Sequence, residues 1–193
     1  DGTLADTARD LIDVAQIVCR EAGFLAVSNS TLRAQISVGA RAMLASAFDS
    51  ERDDPKVVQA ARRLEKYYAA RPAKLTCLFP GVHEAIEEAY ALGMPWCVVT
   101  NKLAPLTRLV MHGLSPLPPG YCGIVAGGST AHSKPHAQPL HLASRLMGVR
   151  EKHIVMIGDD LRDITCARAA GAHSAAACWG YIHENDDPAQ WGA

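Results

Sequence analysis

No apolar run in this 193-residue chain approaches the roughly 18 residues needed to cross a bilayer, so no membrane partner is expected. No lysine- or arginine-rich stretch stands out and the net charge is −1. A nucleic-acid partner is not expected either, because such partners are held mainly by excess positive charge. No two of the six cysteines (Cys19, Cys77, Cys97, Cys122, Cys166 and Cys178) stand at C-x-x-C spacing, which argues against a zinc site. Several lie in apolar runs and read as small buried thiols of a reducing, cytoplasmic compartment. No internal repeat and no low-complexity segment is visible. Hydrophobic residues make up 49% and charged residues 20%, enough apolar surface for a packed core. The length suits one large domain or a domain with an insertion.

Residues 5–73 read almost wholly as helix. Thr7 is placed to cap a segment with Leu11, Ala15 and Val18 on one face, ending near Gly23. Ser30 is placed to cap a short helix through Ile36, Gly39 starts ARAMLASAF, and Asp54-Pro55 opens VVQAARRLEKYYAAR. No strand is predicted there. Beyond Leu75 the pattern alternates. VHEAIEEAYAL reads as helix, PWCVVT as strand, APLTRLVMHG as helix and GIVAGG as strand. KPHAQPLHLASRLMG, starting at Lys134, reads as helix, HIVMIGDD as strand, LRDITCARAAG as helix and HSAAACWG as strand. Uniformly apolar strands alternating with helices predict an α/β fold with a parallel, Rossmann-like sheet covered on both faces. Ligands of such sheets sit at the carboxyl ends of the strands.

That rim carries the chemistry. Thr100 and Asn101 end one strand, Lys134 follows another, and Asp159, Asp160 and Asp163 follow a third, while Asp1-Gly2-Thr3 looks like the end of a catalytic loop. Carboxylates without Cys or His favour a hard cation such as Mg²⁺. A lysine, a hydroxyl and backbone N–H groups favour a phosphate dianion. The combination suggests phosphoryl transfer. Each residue alone has a plainer reading: an exposed terminus for Asp1, a helix cap for Thr100-Asn101, a solvated Lys134, and helix-dipole aspartates at 159, 160 and 163. Their order and joint placement favour the site.

DGTLAD, VVTNK, SKP and GDDLRD, in this order and spacing, resemble the haloacid dehalogenase superfamily of phosphatases, in its phosphoglycolate phosphatase-like branch. The resemblance covers essentially the whole chain. It implies a core of residues 1–5 and 76–193 and a small all-helical cap of residues 6–75. It implies that Asp1 is the general acid and base and offers its carbonyl to Mg²⁺. Thr100 and Asn101 then bind the phosphate, Lys134 neutralises nucleophile and phosphate, and Asp159 and Asp163 complete the metal set with Asp1. The family motif reads Asp-x-Asp-Gly-Thr, and its first Asp, the aspartyl-phosphate nucleophile, falls two positions before Asp1. The 193 residues are therefore expected to be a fragment, inactive alone, missing the central strand and one C-terminal helix. Position 137 is Ala where the family usually has Pro, from which only a modest loop adjustment is expected. Asp160 replaces a small residue, either tightening cation binding or facing solvent.

The cap is expected to read the leaving group, through Gly39 and Arg41 in SVGARAML, with Arg41 on a carboxylate or sugar oxygen. Lys102 is a further candidate at the phosphate. SVGARAML, GVHEAIEEAYALGMPWCVVTNK and CWGYIHENDDPAQWGA resemble a subgroup acting on N-acetylmuramic acid 6-phosphate, so a small carboxylate-bearing phosphorylated metabolite is the expected partner. His183, Glu184 and Asn185-Asp186-Asp187 read as a solvated turn. A monomer or homodimer is expected. Two rivals are a non-enzymatic receiver module and a catalytically dead relative that binds a phosphate ligand or a protein.

Overall fold

Four helices form before any parallel strand does. In the computed structural model, which describes residues 1–24, 27–71, 73–183 and 185–193, α1 spans Ala8–Glu21, α2 Asn29–Arg33, α3 Ala40–Phe48 and α4 Pro55–Ala70. Val57, Ala60, Ala61, Leu64 and Tyr68 recur at helical spacing along α4 and bury one stripe of it. They meet Leu11, Val14 and Val18 of α1 and Met43 and Leu44 of α3 in one core. Each such fully buried aliphatic side chain contributes about 1.5–3 kcal/mol.

The caps follow local chemistry with two exceptions. Asp54 accepts from the Lys56 N–H ahead of Pro55, and Gly39 precedes α3 at φ 115°. The cap of α2 is Ser28, not Ser30, and its hydroxyl accepts from the Thr31 N–H. Thr7 stands before α1 but makes no side-chain cap.

The α/β part comprises α5 (Val82–Ala91), β3 (Trp96–Leu103), α6 (Ala104–Gly113), β4 (Tyr121–Gly127), α7 (Gln138–Met147), β5 (Val155–Gly158), α8 (Leu161–Ala170) and β6 (His173–Ala176). β3 pairs with β4 and β5 with β6, both in parallel. The four expected strands thus form two parallel pairs, and among the described residues no strand pairing joins them. Val125, Leu140, Ala143, Met156 and Ala167, from β4, α7, β5 and α8, bind the pairs through one apolar core. α7 starts at Gln138 rather than Lys134, so the lysine sits in a loop.

Two expectations need correction. A short antiparallel pair, β1 (Ala5–Asp6) with β2 (Cys77–Leu78), lies where the chain enters and leaves the helical stretch. Two residues per strand give no readable alternation, so proximity alone makes this pairing. Only Cys19 and Cys166 are buried; Cys97 is half-buried, and Cys77, Cys122 and Cys178 are exposed, because strand ends and loops carry them. No helix among the described residues is long and apolar enough to cross a membrane.

Asp10 of α1 fixes the second crossing. Its buried carboxylate accepts from the Leu75 and Thr76 N–H groups and from the Thr76 hydroxyl, at 2.7–3.0 Å. Asp10→Ala strands these donors, and about 3 kcal/mol of unfolding free energy should disappear. A urea titration checks it: the midpoint falls while the slope stays.

Candidate active site

The carboxyl ends of β3 and β5, the loop before α7 and the N-terminal residues meet at a cavity of about 60 Å³. Asp1, Thr100, Asn101, Lys134, Asp159 and Asp163 all line it. Asn101 pins the lysine loop: its amide donates to the Lys134 carbonyl at 2.9 Å and accepts from the Lys134 N–H at 3.0 Å. The Lys134 ammonium donates to the Val99 carbonyl and to Asp163 Oδ1. Thr100 lies within β3 and does not cap α6; its hydroxyl accepts from the Lys102 N–H.

Asp1 accepts from the Thr7 hydroxyl at 2.6 Å and from Lys102 Nζ at 3.1 Å. The Lys102 ammonium also lies 4.5 Å from the ring centroid of Tyr68 in α4. Asp159, 5% exposed, accepts from the Thr3 hydroxyl, the Tyr181 N–H and the Ser37 hydroxyl, at 2.8, 3.0 and 3.4 Å. Its surroundings leave no room for side chains: a Cβ on Gly2, at φ 75°, or on Gly180 would run into the Asp159 carboxyl or Cβ.

Asp160 neither faces open solvent nor points free toward a cation. It caps α8 in a capping box with Asp163 and binds Arg162 at 2.6–2.7 Å. Arg162 in turn donates to the Ser37 carbonyl of the helical unit. Burial pushes the Asp160 carboxyl up, but the Arg162 hydrogen bonds outweigh it and hold it below the usual range. Burial raises Asp163 despite Lys134.

The donor set is all oxygen and fits a hard cation in kind. Among the described residues, however, no three His, Cys, Asp or Glu side chains converge as a cation-binding group. Asp1, Asp159 and Asp163 share the cavity with their oxygens turned to the partners above.

The expected specificity residues are not brought to the cavity. Arg41 is exposed and pairs with Asp53 at 3.3 Å, and Gly39 does not line the cavity. Ser37, two residues earlier in the same SVGARAML segment, does. An adjoining cavity of about 260 Å³ shares Ser37, Asp159 and Asp160 with the first and is lined also by Gln35, Arg52 and His183. Asn185–Asp187 is exposed, His183 is half-buried, and Glu184 lies outside the described residues. Ser37, Arg162 and Tyr181 were not singled out from sequence; for Tyr181 the available signal was the Gly-Tyr pair just past a strand end.

The haloacid dehalogenase-like hydrolase family model matches residues 1–177. An N-acetylmuramic acid 6-phosphate phosphatase of Pseudomonas aeruginosa is 37% identical, over all of this chain and 85% of that protein. A phosphoglycolate phosphatase of Xanthomonas campestris pv. campestris is also 37% identical, over all of this chain and 86% of its own length. The crystal structure of a predicted phosphoglycolate phosphatase from Haemophilus somnus 129PT superposes with a TM-score of 0.78 at 25% identity, covering 99% of this chain and 87% of that one.

Burial pulls the Lys102 ammonium down to about 7. Its folded-state pKa thus lies below the ordinary lysine value of about 10.4, and the unfolded chain binds the extra proton between the two. Stability should rise with pH across that window, by up to about 1.4 kcal/mol per unit. Metal-free unfolding titrations at pH 7 and pH 9 check this; Lys102→Met should remove that share of the slope.

Proposed function

The chain belongs to the haloacid dehalogenase-like hydrolase family, and on that premise we propose that it is a magnesium-dependent phosphatase of small carboxylate-bearing phosphomonoesters, of the phosphoglycolate phosphatase type. One observation carries the reading: acid, hydroxyl, lysine and two further carboxylates line a single cavity suited to one phosphoryl group. Lys134 and the Thr100 hydroxyl hold the phosphate dianion, with Asn101 fixing the lysine loop. Asp1 gives its proton to the leaving alcohol and then takes one from the attacking water. Asp159, Asp163 and the Asp1 carbonyl are the residues to hold Mg²⁺, whose charge would offset the phosphate oxygens. The aspartyl-phosphate route calls for the aspartate two positions ahead of Asp1, which is not among the 193 residues. The helical unit acts as the cap, and Ser37 is its contact at the phosphate end.

A second reading, N-acetylmuramic acid 6-phosphate as substrate, is favoured by the larger cavity. Its volume of about 260 Å³ and its Arg52, Gln35 and His183 lining suit an acidic sugar better than a two-carbon acid.

In a chain that carries the additional aspartate, a simple phosphomonoester should be hydrolysed with Mg²⁺, and a chloroacid should not. Chelation should stop turnover, and Lys134→Ala or Asp159→Ala should lower kcat/KM by about 100- to 1,000-fold. Near-wild-type activity in either variant would count heavily against this mechanism. The 193 residues alone should show no turnover. A panel of phosphoglycolate, N-acetylmuramic acid 6-phosphate and common sugar phosphates ranks the substrates.

A further inference from the structure

Thr7 stands where a Ser, Thr, Asp or Asn side chain ordinarily caps the first turn of a helix, yet its hydroxyl is spent on Asp1. The start of α1 is held from across the molecule. The Tyr181 oxygen accepts from the Thr7 N–H at 2.7 Å and from the Ala8 N–H at 2.9 Å. It donates its own proton to Asp6 Oδ1 at 2.6 Å. A phenol can do no more than accept two hydrogen bonds and donate one, so its capacity is filled.

The same residue reaches three other places. Its backbone N–H donates to Asp159. Its ring tilts against Phe79, just past β2, with centroids 6.3 Å apart. The guanidinium of Arg33, at the end of α2, lies 4.9 Å over that ring. Tyr181 is 5% exposed, and burial together with the Asp6 carboxylate pushes its phenol above the usual tyrosine range, so it remains a donor.

A buried packing residue would need the ring alone. Here the hydroxyl is aimed at the one point where the chain passes from the α/β part into the helical unit, and the next residue in that chain of contacts is Asp1. We propose that Tyr181 is a positioning residue for proton transfer. It locks the start of α1 so that Thr7 holds the Asp1 carboxyl toward the leaving-group oxygen, and its ring keeps the helical unit in register through Arg33. This rests on the reading of Asp1 as the proton donor.

The test compares two substrates on the full-length protein. p-Nitrophenolate departs without a proton, whereas the alkoxide of an alkyl phosphate such as phosphoglycolate needs one. Tyr181→Phe keeps the ring and removes the hydroxyl. Its kcat/KM on the alkyl phosphate should fall at least about tenfold further than on p-nitrophenyl phosphate. Thr7→Val should give the same unequal loss, and Thr7→Ser should restore the wild-type ratio. An equal loss on both substrates, or no loss in a folded variant, overturns the proposal and leaves a structural role. If circular dichroism shows Tyr181→Phe unfolded, Asp6→Asn takes its place. It weakens the acceptor that anchors the phenol, and it must show the same unequal loss or the proposal fails. A wild-type protein that hydrolyses neither substrate overturns the phosphatase reading itself, and the proposal with it.

Discussion

Four aspartates around one small cavity repel one another, and everything else about the site follows from how that repulsion is met. Lys102 lies against Asp1, Lys134 against Asp163 and Arg162 against Asp160. Asp159 has no side-chain cation among the described residues and is held by three neutral donors from three different segments. Three cations for four carboxylates leave one negative charge in a poorly solvated place, and a site that must admit a phosphate dianion needs that balance to come from outside the chain. The imbalance falls on the aspartate that the family resemblance assigns to the metal.

The same partners tie the two parts of the molecule together. Arg162 bonds Asp160 on its own helix and the Ser37 carbonyl of the helical unit. Lys102 joins Asp1 to the face of Tyr68 in α4. Side chains that balance charge therefore also set where the helices sit, so the electrostatics of the cavity and the placement of the helical unit cannot be altered separately. Gly2 and Gly180 serve this economy by letting backbone close on Asp159 from two directions.

The helices and parallel strands were legible because their apolar residues recur at the spacing each element dictates, and the cluster at the strand ends followed from that order. Thr100, Lys134, Asp159 and Asp163 do share one cavity. What sequence did not reveal depends on long-range proximity. The β1–β2 pair has too few residues for a period, Lys134 lies in a loop because Pro139 sets a later helix start, and Asp160 is taken by a neighbour two positions on. The segment around Gly39 was rightly singled out, but which of its side chains faces inward depends on the turn before α3. Ser37 points in and Arg41 points out to Asp53. Tyr181 was invisible as a cap because its partners lie more than 170 positions away.

The side-by-side pairing of Ala5–Asp6 with Cys77–Leu78 bears on how the chain folds. Everything from residue 7 to residue 76 begins and ends at adjacent strands about 4.8 Å apart. Closing an unstructured loop of that length costs about 4 kcal/mol in chain entropy. The helices between are built from contacts close in sequence, which form early. Once they have packed, the two crossings already stand next to each other, and the later elements close around a short, rigid bridge instead of a long flexible excursion. The helical unit then acts as a template that spares the α/β part its most expensive long-range search.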